Sequence, residues 1–162
     1  MNLKFYLEKL KSSEEYKKFM KENSDAYLCS GFFVIDKQGE DNQQHFDFYV
    51  PSKKEMFSFK LDDDVKLVPV EIFDKRTPEK IGGINFYFDE IERIIEKRMQ
   101  EENLKDKVQK ILLSLQKLSG KDFLVGNVFI SGFGILKINI DISEKKITLF
   151  EKKSFFDMIR KS

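Results

Sequence analysis

The stretch FLVGNVFISGFGILKINI, residues 123 to 140, decides how this chain must fold. Two runs of strand-forming residues, 123–130 and 135–142, lie either side of a short segment that contains Gly132 and Gly134. Ile138, Ile140 and Ile142 alternate with polar neighbours, as a half-buried strand requires. Glycines between two such runs supply the positive φ values that let a chain reverse tightly. The stretch therefore predicts an antiparallel β-hairpin.

Parts of the same stretch look like the strand motifs of RNA-recognition domains. Gly126-Asn127 lies within one, and Gly132-Phe133-Gly134 within the other. That family places its motifs on two central strands, with a helix and another strand between them in sequence. Only Phe129-Ile130 separates them here, and no helix fits in two residues. The likeness fails on spacing, so it implies no family membership.

Downstream of the hairpin, Ser143-Glu144-Lys145 predicts a turn and residues 146–151 a further strand. Ser154 is placed to cap a short final helix over 155–161, closing the core edge through Phe155, Phe156 and Ile159. Upstream, the spacing predicts one long helix from Asp89 to Ser119. Asp89 is an N-cap candidate with Glu92 three residues on. Ile91, Ile94, Ile95 and Met99 form one stripe, and Leu104, Val108, Ile111, Leu112, Leu115 and Leu118 a second. The five-residue step from Met99 to Leu104 shifts the stripe and predicts a kink or break near residues 101–103. Gly120 would cap the helix in the left-handed conformation.

The N-terminal part has a similar order. Leu3, Tyr6, Leu7 and Leu10 share one helical face. Ser12 with Glu15 has the form of a capping box and predicts a restart at Glu14, with Tyr16, Phe19 and Met20 as the new apolar face. Residues 26–35 read as an apolar strand, and Asp36 to Gly39 open a loop. Phe46, Phe48 and Val50 then alternate with His45, Asp47 and Tyr49. Pro51 to Lys54 turn the chain into a strand over 56–61. Residues 65–73 add another, where Pro69 demands an edge or a bulge.

The reading is thus an α+β fold. Two helix-plus-antiparallel-strand halves form one curved antiparallel sheet, with a long central helix packed on it. The 162 residues make a single domain, or two similar halves, 1–76 and 84–162, joined by the Pro- and Gly-bearing segment 77–83. A chain this long buries roughly two-thirds of its unfolded surface, so its core needs no disulfide or metal.

Composition excludes more than it identifies. Formal net charge is +1, with 41% hydrophobic residues. No overall field draws the chain to nucleic acid or membrane. Cys29 is the sole cysteine, so no internal disulfide forms, which suits a reducing compartment. The charged N-terminal residues do not resemble a signal peptide, and no apolar run approaches the roughly 20 residues that span a bilayer. The expected location is the cytoplasm. The 17 Phe and the many Lys, beside a single Ala and four Arg, follow AT-rich codon usage.

Candidate chemistry is sparse. A Ser-His-Asp or Cys-His site would have to use His45, the lone histidine, and a thiol site Cys29. His45 falls on the polar face of its strand and Cys29 in an apolar one. Asp62-Asp63-Asp64 could draw a cation with Glu71 or Asp74, yet lacks the glycine and distant glutamate of a calcium loop. No P-loop, dinucleotide fingerprint or zinc spacing occurs. No catalytic, metal or cofactor-binding residue is assigned, and no cofactor is expected.

One charge asymmetry remains. Lys145, Lys146, Lys152, Lys153, Arg160 and Lys161 outnumber Glu151 and Asp157 from residue 145 onward. They are the candidate phosphate contacts if the chain binds nucleic acid. The leading expectation is a non-catalytic protein- or peptide-binding module, as an adaptor or chaperone-like protein, with homodimerisation open. Nucleic-acid binding by the basic C-terminal segment is the alternative, and a carboxylate enzyme the third reading. No membrane association is expected.

Overall fold

A computed structural model of the chain describes residues 3–72, 76–82 and 86–154. Two short helices come first, α1 (Leu3–Lys11) and α2 (Glu14–Glu22). Four strands follow: β1 (Tyr27–Asp36), β2 (Gln43–Val50), β3 (Glu55–Leu61) and β4 (Val65–Val70). Helix α3 (Phe88–Glu101) leads into β5 (Val108–Leu118), β6 (Lys121–Ile130), β7 (Gly134–Asp141) and β8 (Lys146–Ser154). The eight strands make one antiparallel sheet in the order β4-β3-β2-β1-β5-β6-β7-β8. The sheet is curved and not closed, and each half is a helical segment followed by a four-strand meander. The fold is α+β, with β1 and β5 joining the halves at the centre.

The main departure from expectation is the long helix. It has 14 residues and ends at Glu101. Residues 108–118, expected as its second part, are the central strand β5. The five-residue step marks the end of the helix. Asn103 takes a positive φ of 56°, and the Leu104 N–H returns to the Met99 carbonyl at 2.8 Å. Gly120 does adopt a left-handed φ of 79°, but in a hairpin. With Ser119 at φ 51° it forms a two-residue β5–β6 turn with both φ positive, the geometry of a type I′ hairpin.

Two caps also differ. Helix α3 starts one residue before Asp89, with Tyr87 as N-cap, and Asp89 lies in the first turn beside the positive helix end. Helix α2 restarts at Glu14 as expected, but Ser13 rather than Ser12 is the cap, its Oγ accepting from the Tyr16 N–H at 3.2 Å. The fourth strand ends at Val70, with Pro69 on an edge strand as the missing N–H requires. The expected final helix with Phe155, Phe156 and Ile159 lies outside the described residues.

The three helices among the described residues pack on one face of the sheet. Phe88, Ile91, Ile95 and Met99 of α3 are buried there, with Leu3, Leu10 and Phe19 of the first two helices. They meet Phe33, Phe46, Phe48, Phe59, Leu113, Leu115, Val128 and Ile138 in one continuous core. Phe19 sits edge-on to Phe57 and Phe59 at 5.3 and 5.2 Å between centroids. Such pairs add about 0.5–1.5 kcal/mol each beyond the area they bury.

Candidate functional site

The opposite face of the sheet has no helix on it among the described residues. Strand alternation decides what it shows, because successive side chains point to opposite faces. Phe33, Leu113 and Leu115 turn towards the helices. Their neighbours Phe32, Val34, Leu112 and Ser114 turn away. In β6, Leu124 and Val128 face the helices, and Phe123, Val125 and Phe129 do not.

Register sets these outward residues side by side. Phe32 lies opposite Ser114, and Val34 opposite Leu112. Ser114 faces Val125, and Leu112 faces Asn127. Val125 faces Asn139, and Phe129 faces Ile135. Asn139 in turn faces Leu149 on β8, which is 37% exposed. Val34 and Ile135 are each only 5% exposed. The result is a broad, largely apolar face with no second layer over it among the described residues.

A bulge in β1 shapes the N-terminal side of this face. The register shifts between Leu28 and Ser30, so Cys29 is the extra residue. Its thiol points to the Asp47 carbonyl at 3.4 Å and is buried. Burial, with a smaller contribution from Asp47, pushes the thiol pKa up to about 12. At neutral pH the group is a protonated, apolar packing atom rather than a nucleophile. Ser30 donates to the Asp47 carboxylate at 2.7 Å. His45 lies on the same face, 5.8 Å from the Phe32 ring, and burial and then Lys60 hold its pKa below the usual value. Ser30 bonds directly to the carboxylate, so Ser30, Asp47 and His45 do not form a nucleophile–base relay. At the end of the face the Tyr27 hydroxyl donates to the Pro78 carbonyl, and Tyr27 packs edge-on to Tyr49 at 5.7 Å.

The other sequence candidates are dispersed. Asp62, Asp63 and Asp64 are exposed in the β3–β4 turn, where the Asp62 carbonyl accepts from Lys9 Nζ at 3.1 Å. Asp74 lies outside the described residues. Among the described residues, no group of three or more His, Cys, Asp or Glu could hold a metal ion. A cleft of about 710 Å³ lies between Met56, Ile72, Pro78 and Leu118, and brings no such cluster together.

The candidate phosphate contacts do not share one surface. Lys145 reaches back to α3 and pairs with Glu90 at 3.0 Å. Lys152 and Lys153 are adjacent in β8 and so point to opposite faces. Lys153 lies 4.0 Å from Glu151. Lys146 and Lys153 are roughly 23 Å apart along the strand. Arg160 and Lys161 lie outside the described residues. Arg98, absent from the sequence candidates, sits 5.0 Å over the Phe150 ring while bonding Glu102 at 3.0 Å.

The apolar outer face is what the sequence reading missed. Its signal was present in strands where both alternating sets are apolar, as in Gly31-Phe32-Phe33-Val34-Ile35 and Phe123-Leu124-Val125. A strand buried on one side only should alternate with polar residues.

No protein-family model matches the chain. No curated protein matches it in sequence. Among solved structures, it is similar to the 1.85 Å crystal structure of a predicted lipoprotein from Clostridium difficile 630. The two share 13% identity and a TM-score of 0.56, covering 86% of this chain and 91% of that one. At that identity the likeness concerns the fold alone. No helix among the described residues is long and apolar enough to cross a membrane.

Proposed function

We propose that this protein is a non-catalytic protein-binding module whose interface is the uncovered face of the sheet. The observation that carries the reading is the half-buried apolar set Phe32, Leu112, Phe123, Val125 and Phe129, with no layer above it among the described residues. Contiguous apolar surface marks interaction sites, unlike hydrophobic residues scattered singly. Aromatic anchors with polar neighbours such as Asn127 and Asn139 match the composition of protein interfaces. The buried, protonated Cys29 and the absence of a metal-holding cluster among the described residues favour binding over chemistry.

The cytoplasm is the compartment proposed with it, because the sole thiol suits a reducing environment. The lipoprotein nature of the similar structure belongs to that protein. Cell fractionation with an antibody to the native chain tests the location, and recovery in a membrane fraction overturns it.

The binding reading is tested by affinity capture from the source cell, followed by titration of the purified partner. Phe129→Ala should weaken binding by at least about 2 kcal/mol, as truncating an aromatic anchor does. Salt should have only a modest effect. If the ligand is instead nucleic acid, affinity falls steeply with salt. Replacing Lys145, Lys146, Lys152, Lys153, Arg160 and Lys161 by Gln would then flatten that slope. That result, with Phe129→Ala binding normally, overturns the reading in favour of the nucleic-acid alternative.

A further inference from the structure

We infer that the uncovered face is closed by the same face of a second copy of this chain, sheet on sheet. The inference rests on the protein-binding reading of that face and names its partner. Three features of the face point to this occupant: its size, its charge pattern and its compatibility with a two-fold axis.

Size comes first. Strands lie about 4.8 Å apart and rise about 3.3 Å per residue. Seven residues on each of eight strands therefore give a flat footprint of roughly 900 Å². The five strands β1, β5, β6, β7 and β8 alone give roughly 550 Å². A specific interface should clear roughly 1,000 Å² in total, so these five strands from both copies, about 1,100 Å², are sufficient. An extended peptide covers one strip and leaves most of the apolar rows wet. A second sheet, stacked about 10 Å away and within about 30° of alignment, covers them together.

Charge comes second. Across those five strands runs one row without any ionisable side chain: Phe32, Ser114, Val125, Asn139 and Leu149. Charges occupy the flanking rows, and register sets them in opposite-sign pairs. Asp36 faces Lys110, Lys137 faces Glu151, and Asp141 faces Lys146. The Lys110 ammonium also bonds Asp41 at 3.1 Å. Beyond these five strands the same row runs on through His45, Lys60 and Lys66, so the self-neutral part is β1 with β5 to β8. A surface neutralised within itself does not repel its own copy. An uncharged centre with a polar rim is the usual anatomy of a homodimer contact.

Symmetry comes third. A two-fold axis makes the interface self-complementary, so an uncharged row can lie on its own copy.

Sedimentation equilibrium and light scattering of the purified full chain, over a wide range of concentration, test the inference. We expect twice the mass of one chain, falling to the monomer on dilution. Val125→Glu places a carboxylate in the uncharged row, and should give a folded monomer by far-UV circular dichroism. Lys18→Glu, on the exposed side of α2, should leave the dimer intact. Should Val125→Glu fail to fold, Ser114→Arg, at a position already polar, decides in its place. A wild-type monomer at every concentration overturns the inference. So does a dimer that persists in the folded row variant. A wild-type monomer whose Phe129→Ala variant still loses a different protein partner sinks this inference alone and leaves the protein-binding reading standing.

Discussion

Gly126 lies in β6 directly opposite Leu113, on the helix-covered face. A Cβ added there would stand 2.2 Å from the Leu112 carbonyl oxygen and 2.9 Å from Leu113 Cδ2. The first neighbour is backbone and cannot turn aside. Gly126→Ala should therefore cost about 1–3 kcal/mol by overpacking, read as a lower midpoint in chemical denaturation. An unchanged midpoint would show that β5 and β6 do not approach so closely. His45 makes a second residue-scale test. Burial and Lys60 depress its pKa from the ordinary 6.5, against the opposing pull of Asp47 and Asp62. Below 6.5 the unfolded chain then binds the proton more readily than the folded one, so stability falls as pH drops through that window. The depressed carboxylates Asp25, Asp36, Asp41 and Asp141 act lower, as pH falls through and below their ordinary 3.8. Thermal melts between pH 7 and 5 should therefore show a decline that His45→Gln flattens. Equal slopes for the two proteins would remove His45 from the account.

At the scale of elements, β5 shows why part of the fold was legible and part was not. Ile111, Leu113 and Leu115 are its helix-facing residues, exposed 1%, 0% and 0%. That alternation was there to be read. Leu112 points the other way, and with Val108, Ile111, Leu115 and Leu118 it completes a three-and-four spacing that mimics a helix. Leucine favours helices as well, so propensity reinforced the wrong period. The competing signals were the five-residue slip after Met99 and the Ser119-Gly120 pair, which serves equally as a helix stop or a hairpin turn. The hairpin at residues 131–133, by contrast, was legible because no helix fits its spacing. The candidate site was hidden for a related reason: apolar residues on both faces of a strand look like a doubly covered strand, and nothing local says that one cover is missing. A pair of variants separates the two periods. Leu113→Ala should cost about 2–5 kcal/mol through the cavity it leaves under the helices. Leu112→Ala, on the uncovered face, should cost clearly less when both are measured on the dissociated monomer. A helix across 108–118 predicts the reverse order, and that order would overturn β5.

At the scale of the whole molecule, the decisive feature is that neither half owns its core. Phe33 of β1 packs edge-on to Phe88 of α3 at 5.2 Å and to Phe46 of β2 at 5.6 Å. Leu3 donates its backbone N–H to the Phe86 carbonyl at 3.1 Å, tying the start of the first half to the second, and Ile81 of the joining segment donates to the Leu28 carbonyl at 2.9 Å. The β1–β5 ladder continues the sheet across this boundary over six residue pairs, from Gly31–Leu115 to Asp36–Lys110. Opening one half alone would expose the apolar side of the other and break that ladder without a compensating gain in water. The two meanders should therefore unfold together, despite their similar plans. Native-state amide exchange in increasing denaturant measures this directly. The slowest amides of β2 and β3 should merge with those of β6 and β7 onto one global opening, with the same free energy and the same denaturant dependence. Phe33→Ala should lower that shared value by about 3–5 kcal/mol in both halves at once. Protection surviving in β6 and β7 after β2 and β3 have exchanged, or a Phe33→Ala loss confined to the N-terminal strands, would mean that the seam between β1 and β5 does not join the halves energetically.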